Sequence, residues 1–157
     1  VTGVQTCALP IFEWLSFGSF NKAFKPMRTA FDWLSRDPQE VDRYVNDPLC
    51  GFRCTNQFWL DMLAGLQHIS KPANLEQIDP GIPLLVVGGE CDPVSNGTRL
   101  KDLADALISA GNQAVELKIY PQARHELLNE TNRDEVTRDL LTWLEHALAN
   151  PRPPRTE

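Results

Sequence analysis

The sequence predicts an α/β fold: a mainly helical stretch, then parallel strands with flanking helices. Three observations carry this. Leu84 to Val87 is an unbroken apolar run with two β-branched residues. A run so short and so apolar suits a strand covered on both faces, as in a parallel sheet. Val115 to Tyr120, VELKIY, alternates apolar residues at Val115, Leu117 and Ile119 before Pro121, which reads as a strand with a stop. Between them, Leu100, Leu103, Ala104, Leu107 and Ile108 share one face of a helix over Thr98 to Ala110, with Gly111 as its stop.

Composition narrows the class. A chain of 157 residues has room for one domain with a reasonable core. Apolar content of 42% and charged content of 23% suit a soluble globular protein. The net charge of -6 argues against a nucleic-acid partner, because phosphate binding needs clustered Lys and Arg. No apolar run approaches the roughly 20 residues needed to span a bilayer. The N-terminal stretch has no basic region and only a short apolar run, so a secretory signal is not expected. Cys7, Cys50, Cys54 and Cys91 are too irregularly spaced for a disulfide scaffold. Cys50 and Cys54 have no companion pair at zinc spacing and are expected as buried thiols. A reduced cytoplasmic protein without metal or cofactor is the expectation. Nothing in the sequence sets an oligomeric state.

Residues 1–11, VTGVQTCALPI, resemble the in-frame translation of a widely used sequencing adapter. They are set aside from fold reasoning, and Cys7 with them. On this reading the native protein begins well before Phe12 and the chain is its C-terminal part. Phe12, Trp14, Phe17, Phe20, Phe24, Phe31 and Trp33 make the next stretch aromatic, which Pro26 breaks. Most of these suit packing between short helices, and some could line an apolar pocket. Asp37-Pro38 opens a helix with an acidic first turn, and Asn46 to Phe52 is a loop. Thr55 to Gln67 carries Phe58, Trp59, Met62, Leu63 and Leu66 at helical spacing, with Thr55 or Asn56 as N-cap. His68 at its end reads as structural. Lys71 to Pro83, with three prolines, reads as a linker.

Beyond the second strand, Asn129 to Arg133 leads into a last helix striped by Val136, Leu140, Trp143, Leu144, Ala147 and Leu148. Asn132 and Glu135 have capping-pair spacing. The tail from Asn150, NPRPPRTE, lacks an apolar anchor and is expected to be disordered.

Two polar residues follow the two strands. Asp92 lies just past the C-terminal end of the first, before Pro93, and His125 lies five residues past Tyr120. Sites in open α/β sheets form outside the carboxyl ends of the strands. An Asp before Pro is a common turn former, and a loop histidine is common too. Placed after successive strands, the two together read as the acid and the histidine of a catalytic triad. The order nucleophile, acid, histidine is that of the α/β-hydrolases. The adjacent Glu90, Cys91, Arg124 and Glu126 receive no role.

At these residues a family resemblance becomes specific. The phrases VVGGECDPVSNGTRLKDLADAL, LKIYPQARHELLNE and VTRDLLTWLEHAL resemble the C-terminal part of an α/β-hydrolase. They are most similar to the monoacylglycerol-lipase-like and lysophospholipase-like proteins grouped as serine aminopeptidases. FGSFNKAF, TAFDWLSRD and NDPLCGF resemble the cap region of those proteins, and the likeness covers about residues 16–148. It implies a helical cap over 12–80, a C-terminal hydrolase core over 81–149 and a tail over 150–157. It also implies that His125 acts as general base and then general acid, with Asp92 orienting it.

The nucleophile of that family sits in a Gly-x-Ser-x-Gly turn. Ser16, Ser19, Ser35, Ser70, Ser95 and Ser109 all lack the pattern. The serine and the oxyanion hole are therefore expected upstream, and this chain alone is expected to be inactive. The aromatic cap favours a small-molecule, lipid-like ester with an apolar acyl group, such as a monoacylglycerol or lysophospholipid. A peptide substrate, an Asp nucleophile as in haloalkane dehalogenases and epoxide hydrolases, and a non-catalytic binding protein of the same fold are the alternatives.

Overall fold

A computed structural model describes residues 18–96 and 98–150. The adapter-like segment, Phe12, Trp14, Phe17 and the tail beyond Asn150 lie outside the described residues.

Local chemistry sets the helix starts. Asp37 caps α1 (Pro38–Asn46), its carboxylate accepting the Gln39 N–H at 2.9 Å, with Pro38 in the first turn where its missing donor costs nothing. Thr55 caps α2 (Asn56–Ile69), its Oγ1 accepting the Phe58 N–H at 3.1 Å. The stretch expected as a plain linker holds one helical turn, α3 (Pro72–Leu75), because Pro72 presets the helical φ at the first position. The Asn74 side chain ties this turn back to the His68 carbonyl at 2.6 Å.

β1 (Leu84–Gly89), α4 (Arg99–Ser109) and β2 (Val115–Tyr120) form the βαβ unit, and α5 (Arg133–Ala149) closes the described chain. The strands pair in parallel, Leu84 opposite Val115 through Gly89 opposite Tyr120. β1 runs two residues past the apolar Leu84 to Val87 run, through Gly88 and Gly89. Both glycines sit where something presses close: Leu100 covers Gly88, and the Ala123 and Arg124 carbonyls cover Gly89. Gly111 takes φ +100 and ends α4.

The core joins Tyr120, Ala123, Leu127 and Val136, with Val87 and Leu140 packed against them. Trp33, Leu34 and Val41 are buried upstream. Several expected apolar faces are only partly covered. Leu84 to Val87 are half-buried rather than covered on both faces, because among the described residues the sheet has two strands. On α2 only Trp59 is buried, while Phe58, Leu63 and Leu66 are exposed. On α4, Ala104 and Leu107 are buried and Leu103 and Ile108 are not. On α5, Val136 is buried and Leu144 and Leu148 are exposed.

Asn132 and Glu135 touch, but not as a capping pair. The Asn132 oxygen that would cap α5 accepts from Arg36 at 2.8 Å instead, and its amide donates to Glu135 at 2.9 Å. Cys50 and Cys54 are free and half-buried rather than buried, since they flank a surface loop. Among the described residues, no helix is long and apolar enough to cross a membrane.

Candidate active site

The parallel pairing delivers both strand ends to one side, and the loops that follow meet there. Three contacts bind the loops to each other. The Glu90 N–H donates to the Tyr120 carbonyl at 3.0 Å, and the Cys91 N–H to the Ala123 carbonyl at 2.9 Å. The Glu90 carboxylate accepts from the N–H of Gln122, whose φ is +58. Gly89 completes the fit, since a Cβ there would run into the histidine loop's own carbonyls.

Across this junction, Nδ1 of His125 lies 3.1 Å from Oδ1 of Asp92. A carboxylate only accepts, so Nδ1 carries the proton and Nε2 is left with a free lone pair. Asp92 is 7% exposed. Its Oδ1 also accepts the Val94 N–H at 2.9 Å, and its Oδ2 accepts the Ser95 hydroxyl at 3.0 Å. Burial pushes the Asp92 carboxyl up, but the bonds from His125, Val94 and Ser95 outweigh it and hold the group below its ordinary 3.8. The same bond to Asp92 raises His125 above 6.5, with burial opposing. The imidazole is half-exposed and leans on the Trp33 ring, centroids 5.1 Å apart.

These shifts set a pH window. His125 gains affinity for its proton on folding, so its share of stability is present below 6.5 and lost as pH rises through the folded value. Asp92 loses affinity, so its share is present above 3.8 and lost as pH falls through its folded value. Asp92→Asn is expected to lower the urea midpoint most at about pH 5 and clearly less at about pH 9. An equal loss at both would count against a charged pair.

Residues given no role in the sequence prove structural here. Glu126 donates its N–H to the Leu34 carbonyl at 2.8 Å, and the His125 N–H reaches the Trp33 carbonyl at 3.4 Å. The Arg124 guanidinium reaches back to the Asp32 carbonyl and, at 2.9 Å, to the Ser35 carbonyl, and it stacks on Phe24 at 4.2 Å. Glu130, which sequence reasoning passed over, is 0% exposed. It accepts from the Arg124 N–H at 2.8 Å, the Arg36 N–H at 3.1 Å, Arg36 Nε at 2.7 Å and the Thr131 N–H at 2.9 Å. A signal was present: a carboxylate just after Leu127 and Leu128 has apolar company and needs partners if buried. His68 lies exposed at the end of α2. Among the described residues, no group of three or more His, Cys, Asp or Glu could hold a metal ion. A cavity of about 310 Å³ opens behind the histidine loop, with Phe24, Arg28, Asp32, Arg36 and Arg124 among its walls.

Comparison with known proteins adds the family. The model for serine aminopeptidase, S33, matches residues 4–132. The chain belongs to that family. The chain is 35% identical over 116 residues to a monoacylglycerol lipase of Mycolicibacterium smegmatis, covering 72% of this chain and 38% of that protein. It is 33% identical over 125 residues to the monoglyceride lipase of Mus musculus, covering 74% and 37%. A carboxyl esterase from Bacillus coagulans, solved in complex with glycerol, superimposes with a TM-score of 0.80 at 27% identity, covering 90% of this chain and 46% of that one. The fold is thus that of part of an α/β-hydrolase. The chain spans less than half the length of these relatives.

Proposed function

We propose that this chain supplies the acid and the histidine of a serine ester hydrolase acting on lipid-like esters such as monoacylglycerols. The buried Asp92 carboxylate on Nδ1 of His125, at 3.1 Å past two parallel strands, carries the reading. That contact leaves Nε2 free to take a proton from a serine hydroxyl, and a serine is a poor nucleophile until a base does so. The serine oxygen attacks the ester carbonyl carbon as its proton passes to Nε2. The tetrahedral adduct collapses, and the alcohol leaves with that proton. Water, deprotonated by the same nitrogen, then releases the acid. Asp92 holds the working tautomer and stabilises the imidazolium.

None of the serines in this sequence has Gly-x-Ser-x-Gly around it. The nucleophile and the oxyanion donors belong, on this reading, to sequence upstream. The cap then extends over 12–80, of which 18–80 are described, the core over 81–149, and the exposed apolar residues of α2 offer surface for an acyl chain. The glyceride lipases among the relatives and the esterase crystallised with glycerol support a glycerol-like alcohol.

The test joins this chain to an upstream segment bearing the serine turn. That protein is expected to release fatty acid from monoacylglycerols and p-nitrophenol from short-chain esters. The 157-residue chain should give only the rate of free imidazole. Preference for aminoacyl p-nitroanilides would replace the lipase reading with a peptidase. Turnover of neither, by a folded protein, would sink both.

A further inference from the structure

The histidine loop is held from behind, by groups that never touch Asp92. Arg124, the residue just before His125, is fixed at two points. Its N–H donates to the buried Glu130 carboxylate at 2.8 Å. Its guanidinium spans two backbone carbonyls of the upstream segment, Asp32 and Ser35. Glu130 grips the same upstream segment through the Arg36 N–H and Nε. The Ser35 hydroxyl closes the ring by donating to the Asn129 carbonyl at 2.7 Å. The strap formed by residues 32–36 therefore meets both ends of the segment 124–130, and His125 lies between them.

We propose that Glu130 and Arg124 are positioning residues for His125, clamping its backbone between the strap and the acid loop so that Nδ1 meets Asp92. The inference rests on the reading of His125 as the base. The physical argument is one of freedom. The imidazole touches Asp92 through one hydrogen bond and is half-exposed, so that bond alone cannot hold a loop backbone. A buried carboxylate with four N–H donors is a rigid anchor, because each donor would be left without a partner if the loop shifted. Charge is balanced locally by Arg36, so Glu130 enters this arrangement as an anchor rather than as a field on the imidazole.

A double-mutant cycle on the 157-residue chain tests this, read by NMR titration of the His125 imidazole. Besides Asp92, the charged neighbours acting on that ring include Glu126, which every variant keeps. Glu130→Gln is expected to move the His125 midpoint down toward 6.5 and to weaken the hydrogen-bonded Nδ1–H signal. In an Asp92→Asn background the same substitution should move it no further, since the carboxylate whose contact it positions is already gone. A shift of equal size in both backgrounds would show a through-space charge effect and overturn the proposal, as would no shift in either. Should Glu130→Gln not fold, Arg124→Lys is read in the same cycle. It keeps the charge and the N–H to Glu130 but not the planar guanidinium that stacks on Phe24 while meeting both carbonyls. A shift confined to the Asp92 background supports the clamp, and its absence overturns it. The cycle reads imidazole geometry, not turnover. A chain that passes it while the joined protein hydrolyses nothing would lose the hydrolase reading and keep the clamp.

Discussion

In the joined hydrolase, His125→Ala is expected to lower kcat by about 10⁴-fold or more with KM little changed, as loss of a triad member does in other serine hydrolases. That factor corresponds to about 5.5 kcal/mol of barrier, more than any single packing change at the site could account for. The size follows from what is lost. Nε2 is both the acceptor for the serine proton and the donor to the leaving alcohol, so removing it impairs both halves of the reaction. Asp92→Asn should also be severe, because an amide can donate to Nδ1 and so favour the tautomer that protonates Nε2. In the unsubstituted joined protein, activity should fall as pH drops through the raised His125 value, since only the neutral ring is a base. A His125→Ala enzyme within about tenfold of the parent would remove His125 from the mechanism.

Gly89→Ala should unfold the site from its back. A Cβ on Gly89 would come far closer to the Ala123 and Arg124 carbonyls than the 3.0 Å that real Cβ atoms respect. Those atoms are backbone and cannot swing aside as a side chain would. Either β1 or the histidine loop must move, at a cost of about 3 kcal/mol or more in urea unfolding. The same movement should separate Asp92 from His125, bringing the His125 midpoint back toward 6.5. Gly65 is the control, because in mid-α2 an added Cβ meets nothing within 4 Å. Gly65→Ala should stabilise by about 0.5–1 kcal/mol through lost chain entropy alone. If both substitutions shifted stability alike, the close packing at Gly89 would be wrong.

The strands, the α4 helix between them and the positions of Asp92 and His125 at the strand ends were legible in the sequence, because each rests on local periodicity and punctuation. Proline and Asp or Thr caps gave the starts of α1 and α2 for the same reason. Two kinds of feature were not legible. Periodicity marks an apolar face but not what covers it, so Leu144 of α5 and Leu63 of α2 lie on apolar stripes and yet stand exposed. Partners far apart in sequence leave no local trace. Arg36 takes the oxygen that would have capped α5 from Asn132, 96 residues away, and Glu130 looks in sequence like any loop carboxylate. The turn α3 is hidden because Pro80 and Pro83 mark the stretch as a linker and outweigh Pro72, which starts a helix.

The strap has a consequence for how much the rest of the chain can change. Ser35 and Asn129, 94 residues apart, meet at the back of the histidine loop, and β1 begins at Leu84. Everything from Asp37 to Pro83 is therefore a closed excursion whose two ends are fixed independently of its length. Doubling such an excursion costs only about 0.6 kcal/mol of closure entropy. Helices in it can be added, lost or exchanged at little cost to the geometry of Asp92 and His125. On the proposed reading, the part that would choose a substrate is free to diversify, while the part that would handle the proton stays as it is.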